Sequence, residues 1–215
     1  MRADAIDDRD ASWLPLVHAV VAASAIAISG ALGSIQVWIL TLAGAIVSYW
    51  LARRDLAEPA TKDHVATLLR LSFLAVLCAG AWDNRDRTVG WPPEITVGEI
   101  LGLVLIAAGM WLRHRALAVL GQHYSVKLLV RDDHQLVEDG PYRLLRHPNY
   151  TGLALVMAGT ALALRSPLAL VAVLVLWLPA LMLRIAQEEN VLRLHLGAAY
   201  ERYAERTWRL VPGVY

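Results

Sequence analysis

Long uncharged stretches alternate with short polar ones along much of the chain. The 42 residues between Asp10 and Arg53 contain no Asp, Glu, Lys or Arg, and one bilayer span needs about 20 apolar residues. This stretch therefore predicts two membrane helices, at about 13–31 and 35–52. Further apolar runs predict spans at about 65–82 and 95–112.

The second half of the chain follows a different pattern. A polar segment runs from Arg113 to Arg146, and two uncharged runs of 18 residues follow it, separated only by Arg165. We interpret these runs, 147–164 and 166–183, as a tight antiparallel hairpin of two short helices. The segment 184–206 predicts an amphipathic helix because its apolar residues share one helical face: Ile185, Leu192, Leu196, Ala199 and Tyr203.

These elements predict an all-α integral membrane protein. It would have four transmembrane helices, a C-terminal helical hairpin, a polar cytoplasmic loop and a C-terminal amphipathic helix. We expect one membrane domain over 1–215, with N-terminal transmembrane helices in 1–112 and a catalytic core in 113–215. The composition agrees, since 57% of residues are hydrophobic and only 18% are charged, against roughly 45–50% and about 25% in soluble domains.

The basic residues predict the orientation in the membrane. With the N-terminus in the cytoplasm, 16 of the 20 Lys and Arg residues fall in cytoplasmic segments, as the positive-inside rule requires. Both late polar segments, 113–146 and 184–215, then face the cytoplasm, where we expect the chemistry. A net charge of +1 gives no field to attract nucleic acid. Arginine outnumbers lysine 18 to 2, which favours a GC-rich bacterial genome and hence a bacterial inner membrane.

The motif His147-Pro148-Asn149-Tyr150 opens an apolar helix directly after the polar loop. Proline suits the first helical position, and a helix N-terminus favours an anion such as a carboxylate or phosphate. The alternative is an ordinary membrane helix start with interfacial Tyr and Arg side chains. The chain has no Walker sequence, GxSxG, HExxH or CxxC, and the spacing of its histidines predicts no metal site.

A second polar cluster follows the second uncharged run. Arg184 and Glu188 are four residues apart, so they lie on one helical face. One interpretation is a surface ion pair worth about 0.3–0.5 kcal/mol. However, charges where a helix leaves the bilayer need a partner or a ligand. Because a hairpin would return the chain to the side of His147, we expect the two clusters to meet.

The order of these motifs resembles the isoprenylcysteine carboxyl methyltransferase family, which are integral membrane enzymes that use S-adenosylmethionine. The resemblance covers about residues 121–212 and rests on a combination of motifs: His-x-Leu-Val, Gly-Pro-Tyr, Arg-His-Pro-x-Tyr, Arg-x-x-x-Glu-Glu and Gly-x-x-Tyr-x-x-Tyr. It implies that the polar loop binds the cofactor. One position departs from the pattern, because Lys127 replaces the glutamine that enzymes acting on prenylated proteins carry.

The resemblance also implies roles for individual residues. Glu188 would contact the cofactor and take part in catalysis, and Arg184 would be the catalytic residue that binds the substrate. The other residues implied to bind S-adenosylmethionine are His134, Gln135, Leu136, Val137, Tyr142, His147, Pro148, Asn149 and Tyr150. The implied partners are a lipophilic small molecule or prenylated acceptor and the membrane lipid.

Physical chemistry agrees with methyl transfer to a carboxylate. Such an acceptor is ionised at neutral pH and needs no general base, and arginine can hold it through two parallel hydrogen bonds. Thiol and amine acceptors remain open at this point. So do two other functions, an NADPH-dependent membrane reductase of the sterol type, to which Asn149 would also be suited, and a non-enzymatic carrier or assembly factor.

Overall fold

The computed structural model describes residues 64–84, 96–120 and 136–214. The predicted spans at 13–31 and 35–52 lie outside the described residues, as do Lys127, His134 and Gln135. The described part contains five helices and a short 3-10 turn at Gly140–Arg143. The helices are α1 His64–Asn84, α2 Val97–Leu120, α3 Pro148–Ala163, α4 Pro167–Leu196 and α5 Ala198–Glu205.

The all-helical prediction is confirmed for this part of the chain, which contains no strand beyond an isolated bridge between Leu145 and Trp208. Helices α1, α2 and α4 are long and apolar enough to cross a membrane. The predicted spans near 65–82 and 95–112 correspond to α1 and α2, although α2 continues to Leu120. The total of four spans plus a hairpin stays a prediction.

The predicted boundary after Leu183 is wrong. The second hairpin helix does not end there, because α4 runs without a break through Arg184 and Glu188 to Leu196. Its irregular part is a π turn at Val173–Trp177. Pro179 lies two residues after this turn and has no N–H to donate to the ordinary helical ladder. Polar residues ended the apolar pattern at this point, but they do not break a helix.

The single amphipathic helix predicted over 184–206 is also wrong. The chain turns at Gly197, whose φ is +50°, a backbone conformation that glycine adopts without steric cost. Ile185 therefore belongs to α4 and Tyr203 to α5. Both side chains are buried, but they do not share one helical face.

Helices α2 and α3 pack closely through glycines. A Cβ added to Gly102 would lie 2.6 Å from the carbonyl oxygen of Gly159, and one added to Gly109 would lie 2.4 Å from that of Gly152. Small residues let two backbones approach in this way. The contact holds α3, which carries the His147 motif at its start, against α2.

The far end of the α3–α4 hairpin is joined to α1. The Asp83 carboxylate accepts hydrogen bonds from Ser166 Oγ at 2.6 Å and from the Leu168 N–H at 2.9 Å. Asn84 Nδ2 donates to the Leu164 carbonyl at 2.8 Å. Ser166 is also the N-cap of α4, since its Oγ accepts from the Ala169 N–H. These bonds fix the turn at the end of the hairpin opposite the polar motifs.

Candidate functional site

His147 occupies the N-cap position of α3, and Pro148 is the first residue of that helix. Both residues are buried. The His147 N–H donates to the Arg209 carbonyl at 3.2 Å, and the His147 carbonyl accepts from the Thr151 N–H. The predicted helix start at Pro148 is therefore confirmed, and the polar turn before it is held by the C-terminal part of the chain.

Glu189 on α4 is the centre of a buried ionic cluster. Its side chain is fully inaccessible to solvent and accepts hydrogen bonds from three arginines. Arg146 Nη1 lies 2.9 Å from Oε1, Arg193 Nη2 lies 3.1 Å from Oε2, and Arg209 contacts both oxygens. His147 Nε2 lies 3.4 Å from Oε1. A buried carboxylate needs such compensation, because desolvation of an unpaired charge is very costly.

The predicted residues of α3 and α4 meet beside this cluster. His147 Nδ1 lies 4.0 Å from Glu188 Oε1, and the rings of His147 and Tyr150 have centroids 5.7 Å apart. Arg184, which is buried, donates from Nε to the Tyr150 hydroxyl at 3.4 Å. The structure thus brings His147, Tyr150, Arg184 and Glu188 into one site where the hairpin returns to its starting side.

Among the described residues around His147, two side-chain amide oxygens are buried without a hydrogen-bond partner. They are Oδ1 of Asn149, in the first turn of α3, and Oε1 of Gln187, next to Glu188. Buried acceptors are nearly always satisfied in native proteins. The residues around His147 therefore offer acceptor oxygens that suit a ligand with N–H or O–H donors.

Asn149 is held through its backbone by a cation from α2. Arg113 is buried, and its Nη1 donates to the Asn149 carbonyl at 3.4 Å. The polar segment predicted to begin at Arg113 therefore starts inside a helix. Arg113 contributes to the α2–α3 contact at the start of α3.

Tyr142 is buried in the 3-10 turn that precedes His147. Its carbonyl accepts a hydrogen bond from the Tyr203 hydroxyl at 2.9 Å. The same hydroxyl also donates to the Leu145 carbonyl at 3.3 Å. Burial is the main cause that raises the pKa of the Tyr203 hydroxyl above its ordinary value, so the group stays a neutral donor. Leu136 and Val137 are half-buried in the segment leading into this turn, and the described contacts do not join them to His147.

The motifs in the sequence do not indicate the part that Glu189, Arg146 and Arg209 take in the site. Arg146 directly precedes His147, and Glu189 directly follows Glu188. The sequence therefore places both residues next to predicted site residues. Adjacent positions on a helix differ by about 100° in direction, however, and which carboxylate faces inward depends on tertiary packing. Arg209 lies in an irregular segment without periodicity, so no sequence pattern marked it.

The model of the isoprenylcysteine carboxyl methyltransferase (ICMT) family matches residues 100–194. A rice protein (Oryza sativa subsp. indica) named "Probable protein-S-isoprenylcysteine O-methyltransferase" is 36% identical over 115 residues, or 52% of this chain and 60% of the rice protein. Protein-S-isoprenylcysteine O-methyltransferase A of Arabidopsis thaliana is 35% identical over 53% of this chain and 58% of its own length.

The similarity therefore spans about three fifths of these plant relatives. A bacterial relative, the protein YpbQ of Bacillus subtilis, is 28% identical over 40% of this chain and 47% of its own. The expected bacterial inner membrane stays a prediction.

A solved structure of a eukaryotic intramembrane Ras methyltransferase, ICMT, has a similar fold. The TM-score is 0.56 at 19% sequence identity, and the match covers 92% of this chain and 76% of the other. The similarity at this identity is one of fold. Together with the three long apolar helices, it supports an integral membrane protein.

Proposed function

We propose that this chain is an S-adenosylmethionine-dependent carboxyl O-methyltransferase. Its acceptor is a lipophilic, isoprenylcysteine-like carboxylate. The proposal proceeds from the resemblance to the isoprenylcysteine carboxyl methyltransferase family, which the family model and the plant relatives support. The observation that supports this most is the meeting of His147, Tyr150, Arg184 and Glu188 at one end of the α3–α4 hairpin. The comparisons give no support to a reductase.

The residues at the start of α3 fit the proposed cofactor. S-adenosylmethionine carries an ammonium group, two ribose hydroxyls and an adenine amino group, all of which donate hydrogen bonds. Oδ1 of Asn149, which is buried and has no hydrogen-bond partner in the described part of the chain, is an acceptor for such a donor. Glu188, whose side chain is one third exposed, offers a carboxylate. His147, Pro148 and Tyr150 would form the rest of this site, and His134, Gln135, Leu136, Val137 and Tyr142 would add the loop side. The bound cofactor would supply the methyl group from its sulfonium centre.

Arg184 is suited to hold the acceptor. Methyl transfer is an in-line displacement that gains most from positioning of the reactants. A carboxylate is ionised at neutral pH, so the site needs a cation to orient it rather than a base to deprotonate it. The guanidinium of Arg184 is buried beside Tyr150, in a low-dielectric environment where a charge-assisted hydrogen bond is strong.

The outer face of α4 offers a route for a lipid-like acceptor. Between Pro167 and Leu183, the exposed side chains of α4 are apolar and include Leu174, Val175, Leu176 and Leu183. Leu183 directly precedes Arg184 in the sequence. An acceptor with a long hydrocarbon tail can lie along this face in the membrane while its carboxylate reaches Arg184. The polar cofactor would enter from the aqueous side, which we propose is the cytoplasm.

The test is methyl transfer from cofactor labelled in the methyl group, with the purified full chain in lipid nanodiscs. N-acetyl-farnesylcysteine is the acceptor, and its carboxamide, which keeps the lipid but lacks the carboxylate, is the matched control. We expect a labelled methyl ester from the first compound and none from the second. S-adenosylhomocysteine should bind in calorimetry, whereas NADPH should not. Binding of NADPH together with no binding of S-adenosylhomocysteine would overturn the proposal in favour of a reductase.

A further inference from the structure

The C-terminal segment 208–210 lies against the turn that carries His147. Besides the His147 N–H bond to the Arg209 carbonyl, the Arg146 N–H donates to the Trp208 carbonyl at 2.7 Å, and the Trp208 N–H donates to the Leu144 carbonyl at 3.0 Å. Thr151 Oγ1 on α3 donates to the Leu210 carbonyl at 2.8 Å. This segment lies beyond residues 100–194, where the family model matches, yet it forms one side of the candidate site.

The Arg209 side chain reaches from this segment to the buried carboxylate. Its Nε lies 3.1 Å from Glu189 Oε1 and its Nη2 lies 2.9 Å from Oε2. Two parallel hydrogen bonds of this kind fix the plane of a carboxylate as well as its charge. In the described contacts, Arg146 and Arg193 each reach one oxygen of Glu189, whereas Arg209 contacts both.

His147 and Arg209 share the same oxygen of Glu189. His147 Nε2 lies 3.4 Å from Oε1, so the orientation of this carboxylate determines the hydrogen bond that the imidazole ring can make. In a neutral imidazole whose Nε2 donates to Glu189, Nδ1 is the acceptor. Nδ1 is also the nitrogen that faces Glu188, at 4.0 Å. A rotation of the Glu189 carboxylate would therefore change how His147 is presented to the site.

We infer that Arg209 is a positioning residue of the cofactor site, which orients His147 through Glu189, and that the C-terminal segment belongs to this site. The inference rests on the proposed function. A purely structural role for Arg209 would also explain its contacts, but the two roles differ in what a lysine can replace. Lysine keeps the positive charge that compensates Glu189, but it cannot form the planar fork.

The test measures S-adenosylhomocysteine affinity by calorimetry and the unfolding temperature, with the full chain in nanodiscs. The variants are Arg209→Met and Arg209→Lys, and binding is measured well below their unfolding temperatures. The matched control is Arg206→Met, because Arg206 lies three residues before Arg209, outside this segment, and pairs at the surface with Glu138. We expect both Arg209 variants to bind about tenfold more weakly, since each loses a charge-assisted pair of hydrogen bonds. Arg206→Met should bind within about twofold of the parent chain.

The lysine variant decides between the two roles. Arg209→Lys should regain most of the unfolding temperature that Arg209→Met loses, while its affinity stays about tenfold low. Parent-like affinity in Arg209→Lys would overturn the inference even if Arg209→Met does not fold. If the unsubstituted chain fails to bind S-adenosylhomocysteine, the proposed function fails and this inference fails with it. Weakened binding in both Arg209 variants, beside a normal control, supports the inference.

Discussion

Replacing Gly159 with alanine should force helices α2 and α3 apart. The new Cβ would lie 2.6 Å from the Gly102 carbonyl oxygen, 2.9 Å from Ile106 Cγ1 and 3.0 Å from the Ile106 nitrogen. Ordinary van der Waals contact begins at 3.4 Å, so the closest contact must lengthen by about 0.8 Å. Two of these atoms belong to the backbone, and no side-chain rotation can relieve the clash.

The expected cost follows from two opposing effects. Inserting a methyl group into a packed interface costs about 1–3 kcal/mol, while alanine is favoured over glycine inside a helix by about 1 kcal/mol. We expect Gly159→Ala to lower the free energy of unfolding by up to about 2 kcal/mol. Gly98→Ala is the matched control, because its nearest neighbour would be Thr96 Oγ1 at 3.9 Å, and it should leave stability unchanged or slightly raise it.

The assay is unfolding by SDS in mixed micelles, followed by far-UV circular dichroism, with S-adenosylhomocysteine affinity measured in parallel. Gly159 lies twelve residues from His147 along α3, or about 18 Å at 1.5 Å per residue. The affinity of the folded Gly159→Ala variant should therefore stay within about twofold. Equal stability of Gly159→Ala and Gly98→Ala would refute the close contact between α2 and α3.

Three further predictions concern the site, the hairpin and the topology. Arg184→Ala should reduce turnover of a carboxylate acceptor about tenfold to a hundredfold with little change in cofactor affinity. Glu188→Ala should weaken S-adenosylhomocysteine binding directly. Full activity of Arg184→Ala would contradict a role for Arg184 in binding the acceptor. Ser166→Ala should lower stability by about 1 kcal/mol because it loses the N-cap and the bond to Asp83, and calorimetry should show unchanged affinity. A reporter fused after residue 215 should report a cytoplasmic location, and a signal from the opposite side would contradict the predicted orientation.

The apolar pattern predicted α1 and α2 well because membrane helices need long uncharged runs and little else does. The same pattern misplaced the end of α4, since it treats the first charged residue as the end of a segment. In the structure, α4 ends at Leu196, and the backbone conformation changes at Gly197. Charged residues continue a helix when other segments compensate them, as Arg146 and Arg209 compensate Glu189.

The sequence predicts the part of the candidate site that follows from the hairpin topology. A hairpin returns its second helix to the level where its first began, so His147 and Glu188 were expected to meet. The identity of the buried carboxylate was not predictable, because Glu188 and Glu189 differ only in the direction that tertiary packing gives them. The contribution of Arg209 depends on an irregular segment whose position follows from backbone hydrogen bonds to residues more than 60 positions earlier.

The contact between Asp83 and the hairpin turn has a consequence for biogenesis. The chain is synthesised from its N-terminus, so α1 is made before Ser166 and Leu168, which lie 83 and 85 residues later. Helix α3 has 16 residues, about 24 Å in length, and is short for stable insertion on its own. Asp83 and Asn84 offer the arriving turn both an acceptor and a donor. Helix α1 thus offers a docking point to α3 and α4 as a pair, at the end of the hairpin opposite the candidate site.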